Sequence, residues 1–285
     1  MIRTIDGLRT RLAEARAADP VDGKAPRVAL LSTIGALHDG HIDLIHRARE
    51  LADITVVSVF VNPLRFATAA QAAEYPRSLD EDEKLLASLG VDIVFAPDAA
   101  ELLPSGTNTT KVSAGDLGLR YEGRVRPFYF DGLLTVEAKL LNLVRPDVAV
   151  YGQRDPQRVF LVRRMIRDLL FDVEVETAPT VREDDGLPIS SRVGLLDAAH
   201  RAAAGKLPQA LDAAAANADR GVDACIAAAQ SALMGEPRIT LEYLSVVDPD
   251  TFLPVDEGHK GRALALIAAT VAGHRFIDNA EIYIG

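Results

Sequence analysis

The sequence has one cysteine, no long apolar run and fewer basic than acidic residues. The single cysteine, Cys225, cannot form an intrachain disulfide, so nothing in the 285 residues indicates a secreted, disulfide-stabilised protein. The longest apolar stretches, Ile54–Val61 and Ala263–Ala272, are too short to span a bilayer. Lysine and arginine number 31 against 41 aspartate and glutamate residues, and this net charge of -10 argues against a general nucleic-acid or membrane-surface binder.

Targeting signals and repeats are also missing from the sequence. Met1–Ala18 has no continuous apolar core of the kind found in signal peptides, and Asp6 and Glu14 argue against a transit peptide. No internal repeat is present. We therefore expect a cytoplasmic protein with no nucleic-acid or membrane partner.

Strand and helix patterns alternate up to about residue 180. Such alternation predicts an α/β fold, a Rossmann-like parallel sheet with helices on both faces. The predicted strands are Val28–Leu31, Ile54–Val61, Val91–Phe95, Val148–Tyr151 and Val173–Thr177, with Thr107–Ser113 as a short edge strand. The predicted helices are His41–Ala52, Leu79–Leu89, Thr135–Val144 and Pro156–Leu170.

The pattern changes near Thr180–Arg182, where two long helical segments are followed by consecutive strands. This order predicts a smaller α+β domain. Its predicted helices and strands are Asp197–Ala218, Val222–Met234, Ile239–Val247, Ala263–Ala272 and Phe276–Ile284. The predicted domains are therefore 1–180, which would bind nucleotide and acid, and 181–285, which would serve as a lid.

The most informative stretch is Ser32–His46, which follows the first strand and opens a helix. Gly35 and Gly40 permit tight turns and close approach of a ligand, and a helix start attracts phosphate. His38 and His41 stand three apart, so both imidazoles can face one ligand. From this stretch alone a nucleotide site, a metal site with help from Asp39 or Asp43, and an ordinary surface all remain open.

Polar stretches follow several predicted strands. In a parallel sheet, ligands bind beyond the carboxyl ends of the strands, so these stretches are expected to form one site. They are Ser32–His41, Asn62–Phe66, Gly152–Arg158 and Asp184–Arg192.

The His-x-Gly-His motif resembles the signature of the adenylyl-transferring superfamily, which includes class I aminoacyl-tRNA synthetases. Over almost its full length the chain resembles the pantothenate synthetase (pantoate–β-alanine ligase) family. The matching runs are Gly35–His41, Phe60–Pro63, Tyr75–Arg77, Gly132–Val136 with Lys139-Leu140, Arg145–Asp147, Arg163-Arg164, Arg167–Leu169, Pro179–Glu183 and Ser190–Arg192.

The resemblance implies an ATP-dependent ligase with ATP and Mg²⁺ as cofactors, acid and amine substrates, and a homodimeric assembly. It implies catalytic roles for His38, His41, Arg154, Ser190, Ser191 and Arg192. It implies ATP binding by Ile34, Gly35, His38, Gly40, His41, Gly152, Arg154, Asp155, Ile189, Ser190, Ser191 and Arg192. It implies acid binding by Ser32, Ile34, Asn62, Arg65, Tyr129, Gln157 and Arg158, and no dedicated metal ligands.

The sequence departs from the family pattern mainly at these expected ligand contacts. The family usually has Pro and Met at the positions of Ser32 and Ile34, and Gln at those of Arg65 and Arg158. Further departures are Tyr129 for His, Arg154 for Lys and Val193 for Asn. Arginine adds charge and a planar fork that suits carboxylate or phosphate.

We therefore predict a carboxylate–amine ligase that forms an acyl-adenylate and then an amide, on an acid more anionic than pantoate. The alternatives are an authentic pantoate–β-alanine ligase, a nucleotidyltransferase that makes no amide, and a non-catalytic nucleotide-binding module. We also expect Ser190–Arg192 to lie on a mobile segment that closes on ATP, and we interpret Asp80–Asp82 either as magnesium ligands or as a helix-start charge cluster.

Overall fold

The contacts of the chain divide it into two units. The computed structural model describes residues 1–17, 24–66, 68, 78–106 and 109–285. The first unit comprises Met1–Gly152 and Leu161–Ala178, and the second comprises Gln153–Phe160 and Pro179–Gly285. Contacts within a unit do not show that it folds by itself. The two domains, with a boundary near Thr180–Arg182, therefore stay a prediction.

The first unit is built on a parallel sheet, which confirms the predicted α/β fold. Its strands within the described residues are β1 (Val28–Thr33), β2 (Ile54–Val59), β3 (Ile93–Phe95), β4 (Val148–Gly152) and β5 (Glu174–Ala178). Their order is β3-β2-β1-β4-β5. The strand order therefore reverses between β1 and β4, the position at which open α/β sheets bind ligands.

The helices of this half of the chain connect the strands. They are α1 (Ile5–Arg16), α2 (Asp39–Leu51), α3 (Leu79–Ser88), α4 (Ala99–Leu102), α5 (Glu122–Val125), α6 (Tyr129–Val144) and α7 (Pro156–Asp168). No helix among the described residues is long and apolar enough to cross a membrane.

Alternation along β1 sends successive side chains to opposite faces of the sheet. Ala29 and Leu31 pack with Ile45 of α2 and Leu86 of α3 in one apolar cluster. Ser32 lies on the opposite face, and it is the one half-buried position in a strand that is otherwise buried. The end of β1 therefore presents different side chains to its two faces.

The second unit packs helices against an antiparallel sheet, as predicted for an α+β region. It contains α8 (Ala198–Ala204), α9 (Lys206–Ala215), α10 (Val222–Leu233), β6 (Ile239–Val247), β7 (Gly261–Val271) and β8 (His274–Ile284). The sheet order is β6-β7-β8. Small side chains such as Ala210, Ala214 and Ala229 form much of its core, and they let the helices approach the sheet closely.

Two predicted elements differ in the structure. The single helix Asp197–Ala218 is wrong, because the chain forms two helices, α8 and α9, with Gly205 at the break. In the predicted edge strand Thr107–Ser113, residues 107–108 lie outside the described part and 109–113 form no strand. There the backbone N–H of Val112 donates to Thr135 Oγ1 of α6 at 3.0 Å, so a helix side chain replaces a strand partner. The run Tyr75–Arg77 also lies outside the described residues.

Candidate active site

A buried carboxylate shapes the loop that follows β1. Asp82, 3% exposed, accepts the backbone N–H of Ala36 at 3.0 Å and that of Leu37 at 2.9 Å. Gly35 adopts φ +84°, and a Cβ there would stand 3.0 Å from Asp82 Oδ2. Both oxygens of Asp82 therefore bind the loop, which favours a structural role over magnesium binding.

The two histidine rings lie in contact at the start of α2, tilted by 53° to each other. Their ring centroids are 4.2 Å apart. The backbone N–H of His38 donates to His41 Nδ1 at 3.3 Å, and His41 Nε2 lies 3.3 Å from Thr33 Oγ1. Gly40 is needed beside them, because a Cβ would come within 3.1 Å of the His38 ring. The imidazoles thus share one position beyond the carboxyl end of β1.

The opposite face of β1 carries a polar network that sequence reasoning missed. Ser32 Oγ donates to Glu137 Oε1 at 2.7 Å, and Tyr151 OH donates to Glu137 Oε2 at 3.3 Å. Glu137 lies on α6 and is 4% exposed. The available signal was one acidic residue between Val136 and Ala138, within an otherwise apolar stretch of that helix.

Asn62 holds the turn that presents Arg65. Its Nδ2 donates to the carbonyl of Gly132 at 2.9 Å, and its Oδ1 accepts the N–H of Leu64 at 3.0 Å. A Cβ at Gly132 would lie 2.5 Å from the carbonyl oxygen of Leu64, so only glycine permits this approach. Asn62 is 3% exposed, and its role in acid binding stays a prediction.

Two guanidinium groups lie over the ring of Tyr129. Arg65 Nη2 donates to the Tyr129 hydroxyl, and its Cζ is 4.9 Å from the ring centroid. Arg126 Cζ is 3.6 Å from the same centroid, and its Nη2 donates to Glu122 at 2.7 Å. The cluster places two guanidinium groups beside the Asn62 turn, and the charge of Arg126 is offset by buried Glu122. Arg126 is a member of the cluster that sequence reasoning missed.

In the second unit, Arg154 contacts the segment around Ile189 and β8. Its Nη1 donates to the carbonyl of Ile189 at 3.0 Å. Asn279 Nδ2 donates to the carbonyls of Gln153 at 2.9 Å and Arg154 at 3.2 Å. Asp155 Oδ1 accepts the backbone N–H of Arg158 at 3.0 Å and so caps α7.

An ion pair of the same unit supports the segment before Ile189. Arg182 donates through both terminal nitrogens to Asp278, at 2.7 and 2.9 Å. Burial raises the pKa of Asp278 and the guanidinium opposes this rise, while the hydrogen bond to Asp278 raises the pKa of Arg182. Arg182 also donates to the carbonyl of Gly186 at 2.8 Å, which fixes the tight turn leading to Ile189.

The predicted site residues fall into a group in each unit. The first unit gathers Ser32, Ile34, Gly35, His38, Gly40 and His41 around the end of β1, with Asn62, Arg65 and Tyr129 at the neighbouring turn and Gly152 at the end of β4. In the second unit Gln157 is 2% exposed, Ser191 and Arg192 are exposed, and Ser190 Oγ is buried without a hydrogen-bond partner among the described residues. Their individual roles stay predictions.

A metal ion has no obvious ligand set of its own here. In the described ranges, no group of three or more histidine, cysteine, aspartate or glutamate side chains is placed to hold one. The interpretation of His38 and His41 as metal ligands with Asp39 or Asp43 therefore receives no support from the geometry.

Comparison with known proteins places the chain in a family. Residues 1–281 match the family model described as pantoate-beta-alanine ligase. The pantothenate synthetase of Leifsonia xyli subsp. xyli is 47% identical over 281 residues, covering 99% of this chain and 97% of the relative. The pantothenate synthetase of Acidothermus cellulolyticus is 48% identical over 282 residues, covering 97% and 89%.

Solved structures show the same similarity. The pantothenate synthetase of Thermus thermophilus has a TM-score of 0.88 and 40% identity, with 99% of each chain covered. The pantoate-beta-alanine ligase of Francisella tularensis, described as complexed with beta-gamma ATP and beta-alanine, has a TM-score of 0.77 and 28% identity, covering 98% and 97%. The chain therefore belongs to the pantoate-β-alanine ligase family, as its motifs predicted.

Proposed function

We propose that the chain joins a small hydroxy acid to an amine at the expense of ATP, in two half-reactions. A carboxylate oxygen of the acid attacks the α-phosphorus, the bond to the β-phosphate breaks, and pyrophosphate leaves. The amine nitrogen then attacks the acyl carbon, the bond to AMP breaks, and the nitrogen loses a proton. This route replaces oxide by AMP as the leaving group.

The adjacent His38 and His41 at the start of α2 carry the proposal. Negative charge grows on the phosphoryl oxygens as the α-phosphorus is attacked, and fixed donors at a helix start lower the energy of that state. The contact of His41 Nε2 with Thr33 Oγ1 is long, at 3.3 Å, so a phosphate oxygen can replace it. The Francisella relative is described as complexed with beta-gamma ATP, which supports ATP as the nucleotide of the proposed reaction.

Magnesium would accompany the triphosphate in this scheme. Mg²⁺ is commonly held by substrate phosphates with one or two carboxylates and several waters, which suits a site without a dedicated ligand cluster. Exposed Asp80 and Glu81 at the start of α3 are available carboxylates, whereas Asp82 is occupied by the loop. The bound ion would offset the charge of the phosphates.

We propose further that the acid is more anionic than pantoate. The support is the Arg65–Tyr129–Arg126 cluster, where two guanidinium groups lie over one ring. Arginine can bind a carboxylate or phosphate through two parallel hydrogen bonds, and each charge-assisted bond contributes about 1.5–3 kcal/mol. A role for Arg158 toward the same acid stays a prediction.

Pantoate itself is the second candidate, because the relatives named above are called pantothenate synthetases. An ATP–pyrophosphate exchange assay separates the two. We expect a hydroxy-dicarboxylate or a phospho-hydroxy acid to support faster exchange than pantoate. Arg65→Gln with Arg158→Gln should narrow this preference about tenfold per lost contact. Arg9→Gln, at an exposed site on α1, is the matched control and should leave it unchanged.

If pantoate supports exchange at least as well as every diacid and phospho-acid, the proposal of a more anionic acid is wrong. The chain would then be an ordinary pantoate–β-alanine ligase. Adding the amine separates the remaining alternatives. AMP and amide formed only with acid and amine together support the ligase. Release of pyrophosphate with a stable nucleotide conjugate and no AMP would indicate a nucleotidyltransferase. ATP binding without turnover would indicate a non-catalytic module.

We also propose that the chain acts on these small molecules in the cytoplasm. The supports are the ATP requirement of the proposed reaction, the single cysteine and the acidic balance of charge. Fractionation of cells that produce the protein, followed by immunoblotting, tests this location.

A further inference from the structure

The buried Glu137 lies where the strand order of the first unit reverses. It accepts hydrogen bonds from Ser32 of β1 and Tyr151 of β4. Leu31 pairs with Val150, so these two hydroxyl-bearing residues occupy the next row toward the carboxyl ends of the strands. Since this is the position where open α/β sheets bind ligands, the network lies under the expected acid site.

A carboxylate is unusual at this position. Val136 and Ala138, its neighbours on α6, are buried and apolar. Burying a carboxylate is unfavourable unless its oxygens are hydrogen-bonded, and each Glu137 oxygen has a hydroxyl partner. The bond from Ser32 is the shorter of the two, and Ser32 is half-buried whereas Tyr151 is 3% exposed. Ser32 is therefore the member of the network that a ligand can contact.

The direction of the Ser32 hydrogen bond decides what Ser32 offers to a ligand. The Ser32 hydroxyl donates to Glu137 Oε1, so its hydrogen points toward Glu137 and its lone pairs point away. We propose that Glu137 is a positioning residue that makes Ser32 a hydrogen-bond acceptor. The acid substrate then carries a hydroxyl donor beside Ser32, in preference to a methyl or a carboxylate.

This inference rests on the proposed function and defines its substrate more closely. A second anionic group on the acid would be repelled near Glu137 and attracted near Arg65 and Arg126. The structure thus gives the first unit a carboxylate on the Ser32 side and cations on the Tyr129 side. A hydroxy acid fits both sides when its hydroxyl lies toward Ser32 and its anionic group lies toward Tyr129.

The test compares small hydroxy acids with analogues that each lack one hydroxyl, in the exchange assay. We expect the wild type to favour at least one hydroxy acid over its deoxy analogue. In Glu137→Gln the amide can donate to Ser32 instead, which lets the hydroxyl hydrogen turn to the ligand, and the preference should fall about tenfold. Ser32→Ala should lose the same preference for the hydroxyl. The double variant Ser32→Ala with Glu137→Gln should show no further loss of that preference.

Ser58→Ala is the matched control, because Ser58 pairs with Ser32 across β1 and β2 and is buried. Its hydroxyl has no hydrogen-bond partner among the described residues, so its loss should leave the preference unchanged. Thermal unfolding checks that each variant folds. If Glu137→Gln does not fold, the hydroxyl preference of Ser32→Ala tests the inference.

Exchange with an unchanged hydroxyl preference in Glu137→Gln or Ser32→Ala would overturn this inference and leave the proposed function intact. Exchange by the wild type with no preference for a hydroxyl would also overturn this inference and leave the proposed function intact. Failure of every acid to support exchange would overturn both.

Discussion

His41 is the single residue whose loss should affect the proposed chemistry most directly. Its ring lies 4.2 Å from that of His38 and close to Thr33 at the end of β1. We expect His41→Ala to lower the ATP–pyrophosphate exchange rate by about 10²-fold, the usual effect of removing one preorganised donor to a charged transition state. Steady-state exchange at varied ATP concentration measures it, and the KM for ATP should change less than kcat.

The control for this variant lies on the same helix. His46 is exposed on α2, so His46→Ala removes an imidazole without touching the start of the helix. It should exchange at the wild-type rate. Wild-type exchange by His41→Ala would remove the histidine from the mechanism, and a tightly bound zinc lost in that variant would revive the metal interpretation.

Asp82 stabilises the fold, because it accepts hydrogen bonds from two backbone N–H groups of the loop that leads to His38. Replacing it with alanine leaves two half-buried N–H donors without this partner, at up to about 1–3 kcal/mol for each. We expect Asp82→Ala to lower the free energy of unfolding by about 2–5 kcal/mol. Urea unfolding followed by circular dichroism measures the loss. Asp80→Ala, at an exposed site in the same first turn of α3, should change it by less than about 0.5 kcal/mol.

At the scale of elements, the segment from Val181 to Arg192 has two parts with different anchoring. Residues 181–189 form a small hairpin in which Glu183 N–H donates to Leu187 O and Ile189 N–H to Val181 O. Leu187 is 1% exposed, whereas Ser191 and Arg192 are exposed. The turn from Asp184 to Leu187 is therefore anchored, and any closing motion belongs to the residues around Ser191.

This anchoring locates the expected protease site. We expect trypsin to cleave after Arg192 and to spare Arg182, whose guanidinium binds Asp278. ATP with Mg²⁺ should slow the cleavage several-fold, because the proposed nucleotide contacts of Ser190 and Arg192 would order this segment. Mass spectrometry of the fragments identifies the site. Equal cleavage at saturating nucleotide would show that the segment is a passive connection.

At the scale of the whole molecule, the family resemblance predicts a homodimer. Leu119, Val125 and Phe128 are exposed apolar residues of one stretch of the first unit, with Phe128 71% exposed. Such residues are common at interfaces between identical subunits. Sedimentation equilibrium should give about twice the chain mass of 30.6 kDa. Phe128→Ser should weaken the association, and a wild-type monomer at all concentrations would contradict the prediction.

The sequence by itself determined the fold class and the main motifs of the site. Continuous apolar runs such as Ile54–Val59 are typical of strands buried on both faces, and the helices between them enforce a parallel sheet. The placement of His38 and His41 at a helix start beyond the first strand was predictable, because glycine turns and helix starts have local causes. Their roles stay predictions.

The tertiary structure decided the contacts between residues far apart in the sequence. Asp82 looked like a helix-start charge, but it caps a loop 46 residues earlier. Glu137 lies 105 residues from Ser32, and Arg126 reaches the ring that Arg65 also covers. Periodicity tells which face of an element is buried, and only the packed chain tells which polar groups share that face.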